Sequence, residues 1–169
     1  MTKQAVFGLA GWSGSGKTTL AEKLISQLAK QGYSVATIKH AHHKFDADIP
    51  GKDSWRHRKA GADQVLVSSA TRSVHFIEHA QDEPELQDLL DQLSPCDLVL
   101  VEGFKREAIS KLEIYRPELG AAPLYPEDSH IIALVSDSPP SGCPLPVLEG
   151  ADIAGIVDFI LGYLQLERR

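Results

Sequence analysis

The feature that most constrains the fold of this chain is a glycine-rich loop near its start. Residues 4–10 form a short apolar run, which predicts a buried strand. The loop that follows, "GWSGSGKT" at residues 11–18, matches the pattern G-x-x-x-x-G-K-[ST] in full. In residues 18–31 apolar side chains recur at helical spacing, and Gly32 favours the end of a helix there. A strand, this loop and a helix in that order predict a P-loop that binds phosphate.

Each residue type in the loop has a physical reason. Glycines let successive backbone N–H groups turn inward and make an anion nest, and the helix N-terminus adds partial positive charge. The lysine of such a loop reaches the β- and γ-phosphates, and the hydroxyl after it is a Mg²⁺ ligand. The predicted nucleotide-binding residues of this loop are Gly11, Ser13, Gly14, Ser15, Gly16, Lys17 and Thr18.

The remainder of the chain alternates between strand and helix patterns. Such alternation predicts an α/β fold, a three-layer P-loop NTPase fold with a mainly parallel sheet. The two strands at 64–79 are joined by a tight connection and predict an antiparallel element in that sheet. No linker is visible, so we expect a single domain over 1–169. Strands are predicted at 34–40, 64–69, 72–79, 97–103, 111–117 and 131–137. Helices are predicted at 54–60, at 83–93 and after Asp152, which is placed to cap the last of them.

Composition limits the classes of partner. The formal net charge is −6, which argues against wholesale binding of nucleic acid. Apolar runs are far shorter than the ~20 residues of a membrane span, so no membrane association is expected. The two cysteines form no motif and fit a reducing compartment. The sequence therefore predicts a cytoplasmic location.

A second acidic position follows from the strand at 97–103. The segment "LVLVEG" ends in Glu102, and side chains at the carboxyl end of a parallel strand face the ligand crevice. P-loop proteins place an acid at such a strand end to hold the magnesium shell. We therefore predict Mg²⁺ binding by Thr18 and Glu102, with Lys17 and Glu102 as the catalytic candidates. Because glutamate is longer than aspartate, it can also act through water or as a base.

A basic segment stands out in this acidic chain. Residues 39–59 hold six basic and three acidic side chains, together with four of the seven histidines. His40, His42 and His43 follow the strand at 34–40, and they are candidates for binding substrate or phosphate. Metal ligation and a solvated loop are the alternatives, although the spacing matches no standard zinc site.

Further candidates in this segment have competing structural roles. Lys52, Arg56 and Arg58 are predicted to contact a substrate or partner, or else to form the solvated face of a helix. Asp46, Asp48 or Asp53 is a possible additional Mg²⁺ ligand, and Asp53 is also placed to cap the helix at 54–60. The sequence does not choose between these roles.

The identity of the base depends on a single acidic residue. The chain contains no asparagine, so the Asn-Lys-x-Asp motif that reads guanine elsewhere is excluded. Asp137 ends the strand at 131–137, and its carboxylate can accept hydrogen bonds from guanine N1–H and N2–H₂. Adenine offers no such pair of donors, which favours guanine. The alternative is a turn-forming aspartate before Ser-Pro-Pro.

Four segments together resemble one family. They are "GWSGSGKTTL", "TIKHAHHKFDADIPGKDSWRHRKAGA", "DLVLVEGFK" and "KLEIYRP", and they occur in this order. The chain resembles the molybdopterin-guanine dinucleotide biosynthesis protein B (MobB) family over essentially its whole length. The histidine-containing segment is much more specific than the P-loop, which hundreds of families share.

The resemblance implies a GTP-binding protein of molybdenum cofactor biosynthesis, with bound Mg²⁺ and weak GTPase activity. It implies a homodimer that acts beside the guanylyltransferase joining molybdopterin to GMP. By position, Gly14, Gly16, Lys17, Thr18 and Thr19 would hold phosphates and magnesium, Glu102 would lie by the γ-phosphate, and Asp137 near the base. The histidine block would be a surface for molybdopterin or for the partner enzyme.

Two other functions remain open on the residues alone. An ATP-dependent small-molecule kinase would begin with a similar strand, loop and helix, and "WRHRK" would supply its lid. A non-catalytic adaptor would use its nucleotide only to stabilise its shape. For catalysis, either Arg106 or Arg116 is a candidate arginine finger, and nothing in the sequence chooses between them.

Overall fold

The computed structural model describes residues 4–41, 45–79 and 83–167. Within these ranges the protein has eight strands, four α-helices and one short 3₁₀-helix at Pro117–Leu119. The strands are β1 (Ala5–Ala10), β2 (Val35–Lys39), β3 (Gln64–Ser68), β4 (Ser73–Ile77), β5 (Leu98–Glu102), β6 (Lys111–Ile114), β7 (Ile131–Val135) and β8 (Val147–Leu148). The helices are α1 (Lys17–Lys30), α2 (Asp53–Lys59), α3 (Leu86–Asp91) and α4 (Ile153–Tyr163).

The chain forms two compact units. The first comprises Met1–His40 and Asp91–Arg169, and the second comprises Ala41–Leu90. The first unit contains the P-loop and the large sheet, and the second contains α2 and the β3–β4 hairpin. A single domain over 1–169 stays a prediction.

The first unit is built on a six-stranded sheet in the order β2-β5-β1-β6-β7-β8, in which every pair is parallel. Parallel pairing places the carboxyl ends of all these strands at one edge. The loops after β1, β2, β5, β6 and β7 therefore leave the sheet at the same edge. The predicted α/β fold with a mainly parallel sheet is confirmed.

One face of this sheet carries the main hydrophobic core. Apolar side chains of alternating strand residues, such as Phe7 and Leu9 on β1, pack with the buried stripes of α1 and α4. Leu20, Leu24 and Leu28 of α1 recur at helical spacing, as the sequence predicts. Asp152 caps α4, because its Oδ1 accepts the backbone N–H of Gly155 at 2.9 Å, which confirms the predicted cap.

The opposite face of β6 buries two charged side chains. Lys111 Nζ donates to Asp128 Oδ2 at 2.8 Å and to the Glu107 carbonyl oxygen at 2.7 Å. Glu113 accepts the backbone N–H groups of Leu124 and Tyr125, and burial raises the pKa of its carboxyl. These hydrogen bonds hold the connections before and after β6 against the sheet. The two charged side chains of this strand therefore have a structural role.

The second unit contains the predicted antiparallel element, but that element does not join the large sheet. Strands β3 and β4 pair with each other in a separate two-stranded sheet. The predicted capping role of Asp53 is wrong. The cap position of α2 is Lys52, which makes no side-chain capping bond, and Asp53 is the first helical residue. Its carboxylate instead lies 3.8 Å from Arg56 Nη1, in an i, i+3 pair on the exposed face.

Two further differences from the sequence prediction are local. The two-residue strand β8 is an element that the sequence patterns did not predict, and the 3₁₀ turn at Pro117–Leu119 lies at the end of the strand predicted at 111–117. Both elements are too short for a periodic pattern. Over the described residues, every helix is too short or too polar to cross a bilayer.

Replacing Lys111 with methionine tests the buried charge on β6. The Lys111 side chain is 1% exposed, and Asp128 is 21% exposed. Burial favours protonation of Asp128, but hydrogen bonds from Lys111 and His130 outweigh it and lower its pKa. Lys111→Met therefore leaves an uncompensated carboxylate and should lower the free energy of unfolding by about 3–5 kcal/mol.

Denaturant titration measures this loss, with Lys23→Met on the exposed face of α1 as the matched control. A change of less than about 0.5 kcal/mol in Lys111→Met, the size expected at an ordinary surface site, would contradict the structural role of Lys111.

Candidate functional site

The loop after β1 has the backbone of an anion nest. Gly11, Gly14 and Gly16 have φ values of 143°, 79° and 97°, and Gly16 directly precedes α1 as its cap residue. A Cβ atom on Gly11 would lie 2.7 Å from the Ile114 carbonyl oxygen, so only glycine fits there. The first backbone N–H groups of α1 have no partner within the helix and are available to an anion.

Lys17 folds back over this loop. Its Nζ donates to the carbonyl oxygens of Gly11 at 2.9 Å and Trp12 at 2.8 Å. Burial lowers the pKa of Lys17, Glu102 opposes that shift, and the charges of Lys105 and Lys39 add to it. An anion bound at the loop would stabilise the charged form of Lys17 against burial and against the neighbouring cations.

Glu102 and Thr18 meet at the end of β5. The Thr18 hydroxyl lies 3.0 Å from Glu102 Oε1 and 3.2 Å from Oε2, so the two predicted Mg²⁺ ligands are in direct contact. Lys39, the last residue of β2, lies 3.2 Å from both Thr18 Oγ1 and Glu102 Oε1. A hydroxyl and a carboxylate are oxygen ligands of the kind that Mg²⁺ prefers.

Two more cations belong to this edge of the sheet. Arg116, just after β6, donates from Nε to the Ser15 carbonyl oxygen at 2.8 Å. Lys105 Nζ lies 4.5 Å from the ring centroid of Trp12, whose Nε1–H donates to the Ala122 carbonyl oxygen at 2.7 Å. Four cationic side chains, Lys17, Lys39, Lys105 and Arg116, therefore lie near the loop together with the carboxylate of Glu102. This excess of positive charge suits a polyphosphate.

A buried hydroxyl supports the same fit. Ser15 is 1% exposed, and its Oγ has no hydrogen-bond partner among the described atoms. A buried polar group without a partner is costly unless a ligand or water satisfies it. Together with the nest and the cations, this hydroxyl makes the residues present a good fit for nucleotide phosphate. Of the other predicted contacts, Ser13 lies in the loop and Thr19 is exposed in the first turn of α1.

The predicted base-reading residue lies at the same edge. Asp137 follows β7 and is exposed, and its Oδ1 accepts the backbone N–H of Gly150 at 3.3 Å. That long contact holds the carboxylate at the strand end and leaves it capacity to accept further hydrogen bonds. The arrangement is compatible with recognition of guanine.

The candidates in the second unit form a separate cluster. Arg58 donates to Asp46 at 2.8 Å, to Asp48 at 3.1 Å and to Glu78 at 2.6 Å, and these hydrogen bonds raise its pKa. Hydrogen bonding to Arg58 in turn lowers the pKa of Asp46. Arg58 therefore stabilises its own unit in this structure, while Lys52 and Arg56 are exposed. The assignments of Asp46, Asp53, Lys52, Arg56 and Arg58 to metal or substrate stay predictions.

Only one member of the histidine block can be placed. His40 donates its backbone N–H to the Glu102 carbonyl oxygen at 2.9 Å, and its ring lies 5.0 Å from that of Phe104. His42 and His43 lie outside the described residues. Among the residues that are described, no group of three or more His, Cys, Asp or Glu side chains is arranged to hold a metal ion.

Sequence reasoning missed three residues of this site: Lys39, Lys105 and, as a loop contact, Arg116. Lys39 could have been predicted from the sequence, because it is the last residue of β2 just as Glu102 is the last residue of β5. Side chains at the carboxyl ends of parallel strands face the ligand crevice. Arg116 and Lys105 reach the loop from irregular connections, which carry no periodic pattern. Of the two candidate arginine fingers, Arg116 is the one in contact with the P-loop.

Comparison with known proteins gives consistent matches. Residues 6–137 match the family model described as molybdopterin guanine dinucleotide synthesis protein B, MobB. The chain is 42% identical over 164 residues to a protein of Escherichia coli K12 named molybdopterin-guanine dinucleotide biosynthesis adapter protein, covering 95% of this chain and 93% of that one. A protein of the same name from Haemophilus influenzae is 40% identical over 163 residues, covering 95% and 89%.

Solved structures agree with the sequence matches. The crystal structure of Bacillus subtilis MobB superposes with a TM-score of 0.75 at 27% identity, and the match covers 96% of this chain and 99% of that one. The family model spans well over half of the chain, and the Escherichia coli protein matches nearly all of it. The chain therefore belongs to the MobB family.

Proposed function

We propose that this protein is a GTP-binding accessory protein of molybdenum cofactor biosynthesis. It assists a guanylyltransferase in attaching GMP to molybdopterin to form molybdopterin guanine dinucleotide. The observation that carries the proposal is the P-loop surrounded by Lys17, Lys39, Lys105 and Arg116, with Glu102 as the one carboxylate in contact with Thr18 among the described residues. The names of the relatives supply the pathway.

Different residues of the site would bind the phosphates, the magnesium ion and the base. The nest of Gly11, Gly14 and Gly16 and the start of α1 hold the phosphate oxygens, and Lys17 exchanges its loop carbonyls for them. Thr18 and Glu102 would hold Mg²⁺, which supplies charge neutralisation on the phosphates. Asp137 would accept hydrogen bonds from guanine.

Hydrolysis by this site should be slow. A side chain that acts as general base toward water must be free to take a proton. The Glu102 carboxylate instead accepts the Thr18 hydroxyl at 3.0 Å, and with Thr18 it would hold Mg²⁺ when GTP is bound, so it is not free to take a proton from water. Arg116 can stabilise charge on the phosphates, but stabilisation alone does not activate water. We therefore propose weak GTPase activity in a protein whose main role is to assist its partner.

Lys17→Ala tests the proposed phosphate site. Loss of the charged donor should weaken GTP binding in the presence of magnesium by about 10- to 100-fold, the range for charged hydrogen bonds. Isothermal titration calorimetry measures the affinity, and Lys23→Ala, an exposed lysine of the same helix, should bind like the wild type. Unchanged affinity in Lys17→Ala would contradict the site.

The same variant separates a GTP-dependent helper from a pure adaptor. If bound GTP is required, Lys17→Ala should also fail to stimulate formation of the dinucleotide by the guanylyltransferase. Full stimulation by a folded Lys17→Ala protein that holds no GTP would show that the nucleotide is dispensable.

We further propose that the protein is a homodimer. The β3–β4 hairpin is a two-stranded sheet, and such a sheet is marginally stable without further partners. Leu66 is 67% exposed on one face of the hairpin, and the cross-strand pair Val67 and Val74 is 46% and 41% exposed on the other face. A second copy that covers the face bearing Leu66 would stabilise both hairpins.

Sedimentation equilibrium tests the dimer, which should have twice the mass of the chain. Leu66→Glu should raise the dissociation constant of the dimer at least about tenfold, because a charge would enter the apolar contact. Ser26→Glu adds the same charge to the exposed face of α1 and should leave the dimer intact. A wild-type protein that sediments as a monomer at micromolar concentration would overturn the proposal.

A further inference from the structure

We propose that Lys39 is a tethered cation that competes with the divalent metal for the Thr18–Glu102 pair. This inference rests on the proposed function, since it concerns how the same site exchanges its own ammonium group for a metal ion with GTP. It assigns to Lys39 a role in setting how much magnesium the protein needs.

The sheet register places Lys39 at this position. Lys39 and Glu102 are Cα partners in the parallel pairing of β2 with β5, and both are the last residues of their strands. The ammonium lies 3.2 Å from Glu102 Oε1 and 3.2 Å from Thr18 Oγ1. It therefore bridges the two oxygen atoms that would bind the metal.

The positive charge of Lys39 sets this contact against a bound metal ion. A hydroxyl has one proton, and that proton is directed at the Glu102 carboxylate. Lys39 Nζ has only protons to donate, so it uses a lone pair of Thr18 Oγ1. Thr18 Oγ1 and Glu102 have further lone pairs for a metal ion, but a divalent ion bound to both oxygens would lie beside the Lys39 ammonium. Repulsion between the two cations favours withdrawal of Lys39 when the metal binds.

The exposure of the two side chains makes such an exchange feasible. Glu102 is 16% exposed, so its charge needs a nearby cation whether or not a metal is bound. The Lys39 side chain is 58% exposed and has a flexible four-carbon stem, so it can leave at little cost. The ammonium neutralises Glu102 in the metal-free protein and lets phosphate approach without magnesium.

The test compares GTP affinity with and without metal in the full-length protein. A fluorescent GTP analogue is titrated in EDTA and across a series of magnesium concentrations. The variants are Lys39→Met, which keeps the length and removes the charge, Lys39→Arg, which keeps a cation, and Lys23→Met as the surface control. Circular dichroism confirms that each variant is folded.

Lys39→Met should weaken binding of the analogue without metal and lower the magnesium concentration that the site needs. In EDTA its affinity for the analogue should fall about two- to fivefold, the range for a partly exposed ion pair. Magnesium raises the affinity for the analogue, and the magnesium concentration at half of that rise should also fall about two- to fivefold, because no ammonium competes with the metal for Thr18 and Glu102. Lys39→Arg and Lys23→Met should stay close to the wild type in both measurements. A loss of affinity caused by misfolding alone would not reduce the magnesium requirement.

Other outcomes overturn the inference in recognisable ways. If Lys39→Met weakens binding equally at every magnesium concentration, Lys39 contacts phosphate alongside the metal and does not compete with it. If Lys39→Met matches the wild type, the contact has no role in binding. If the wild-type protein binds no GTP at all, the proposed function fails and this inference fails with it. If the wild type binds GTP in a magnesium-dependent way but Lys39→Met does not change the magnesium requirement, only this inference fails.

Discussion

The parallel pairing of β1 with β5 and β6 is the constraint on which the site depends. It brings the P-loop after β1 beside Glu102 on one side and beside the residues after β6 on the other. Because parallel strands end at one edge, Lys39 and Asp137 leave the sheet there as well. The packing of α1 and α4 on one face, with the buried charges of β6 on the other, holds this edge in register.

The charge at this edge decides what the site can hold. Positive side chains exceed negative ones around the P-loop, although the chain as a whole is acidic. This local excess of positive charge favours the binding of a polyphosphate. The weak GTPase activity that we propose has a related basis, because the Glu102 carboxylate contacts Thr18 and a cation, either Lys39 or a bound metal ion, and is not free to take a proton from water.

Sequence patterns predicted those parts of the structure that depend on local chemistry. The P-loop, the helix after it, the Asp152 cap and the strand that ends in Glu102 follow from spacing and residue type. The detached hairpin did not, because strand patterns do not specify which sheet a strand joins. The buried Lys111 was equally unpredictable, since its partner Asp128 is 17 residues away in an irregular connection. Arg116 reaches the loop by the same kind of tertiary contact.

The central claim is that this edge of the sheet holds GTP, with Asp137 reading the base. The most direct measurement is calorimetric titration of the wild type and of Asp137→Asn with GTP and with ATP, at one magnesium concentration. The account predicts that the wild type binds GTP more tightly than ATP, and that Asp137→Asn loses this preference while its ATP affinity is unchanged. Equal affinity of the wild type for the two nucleotides, or tighter binding of ATP, would contradict it.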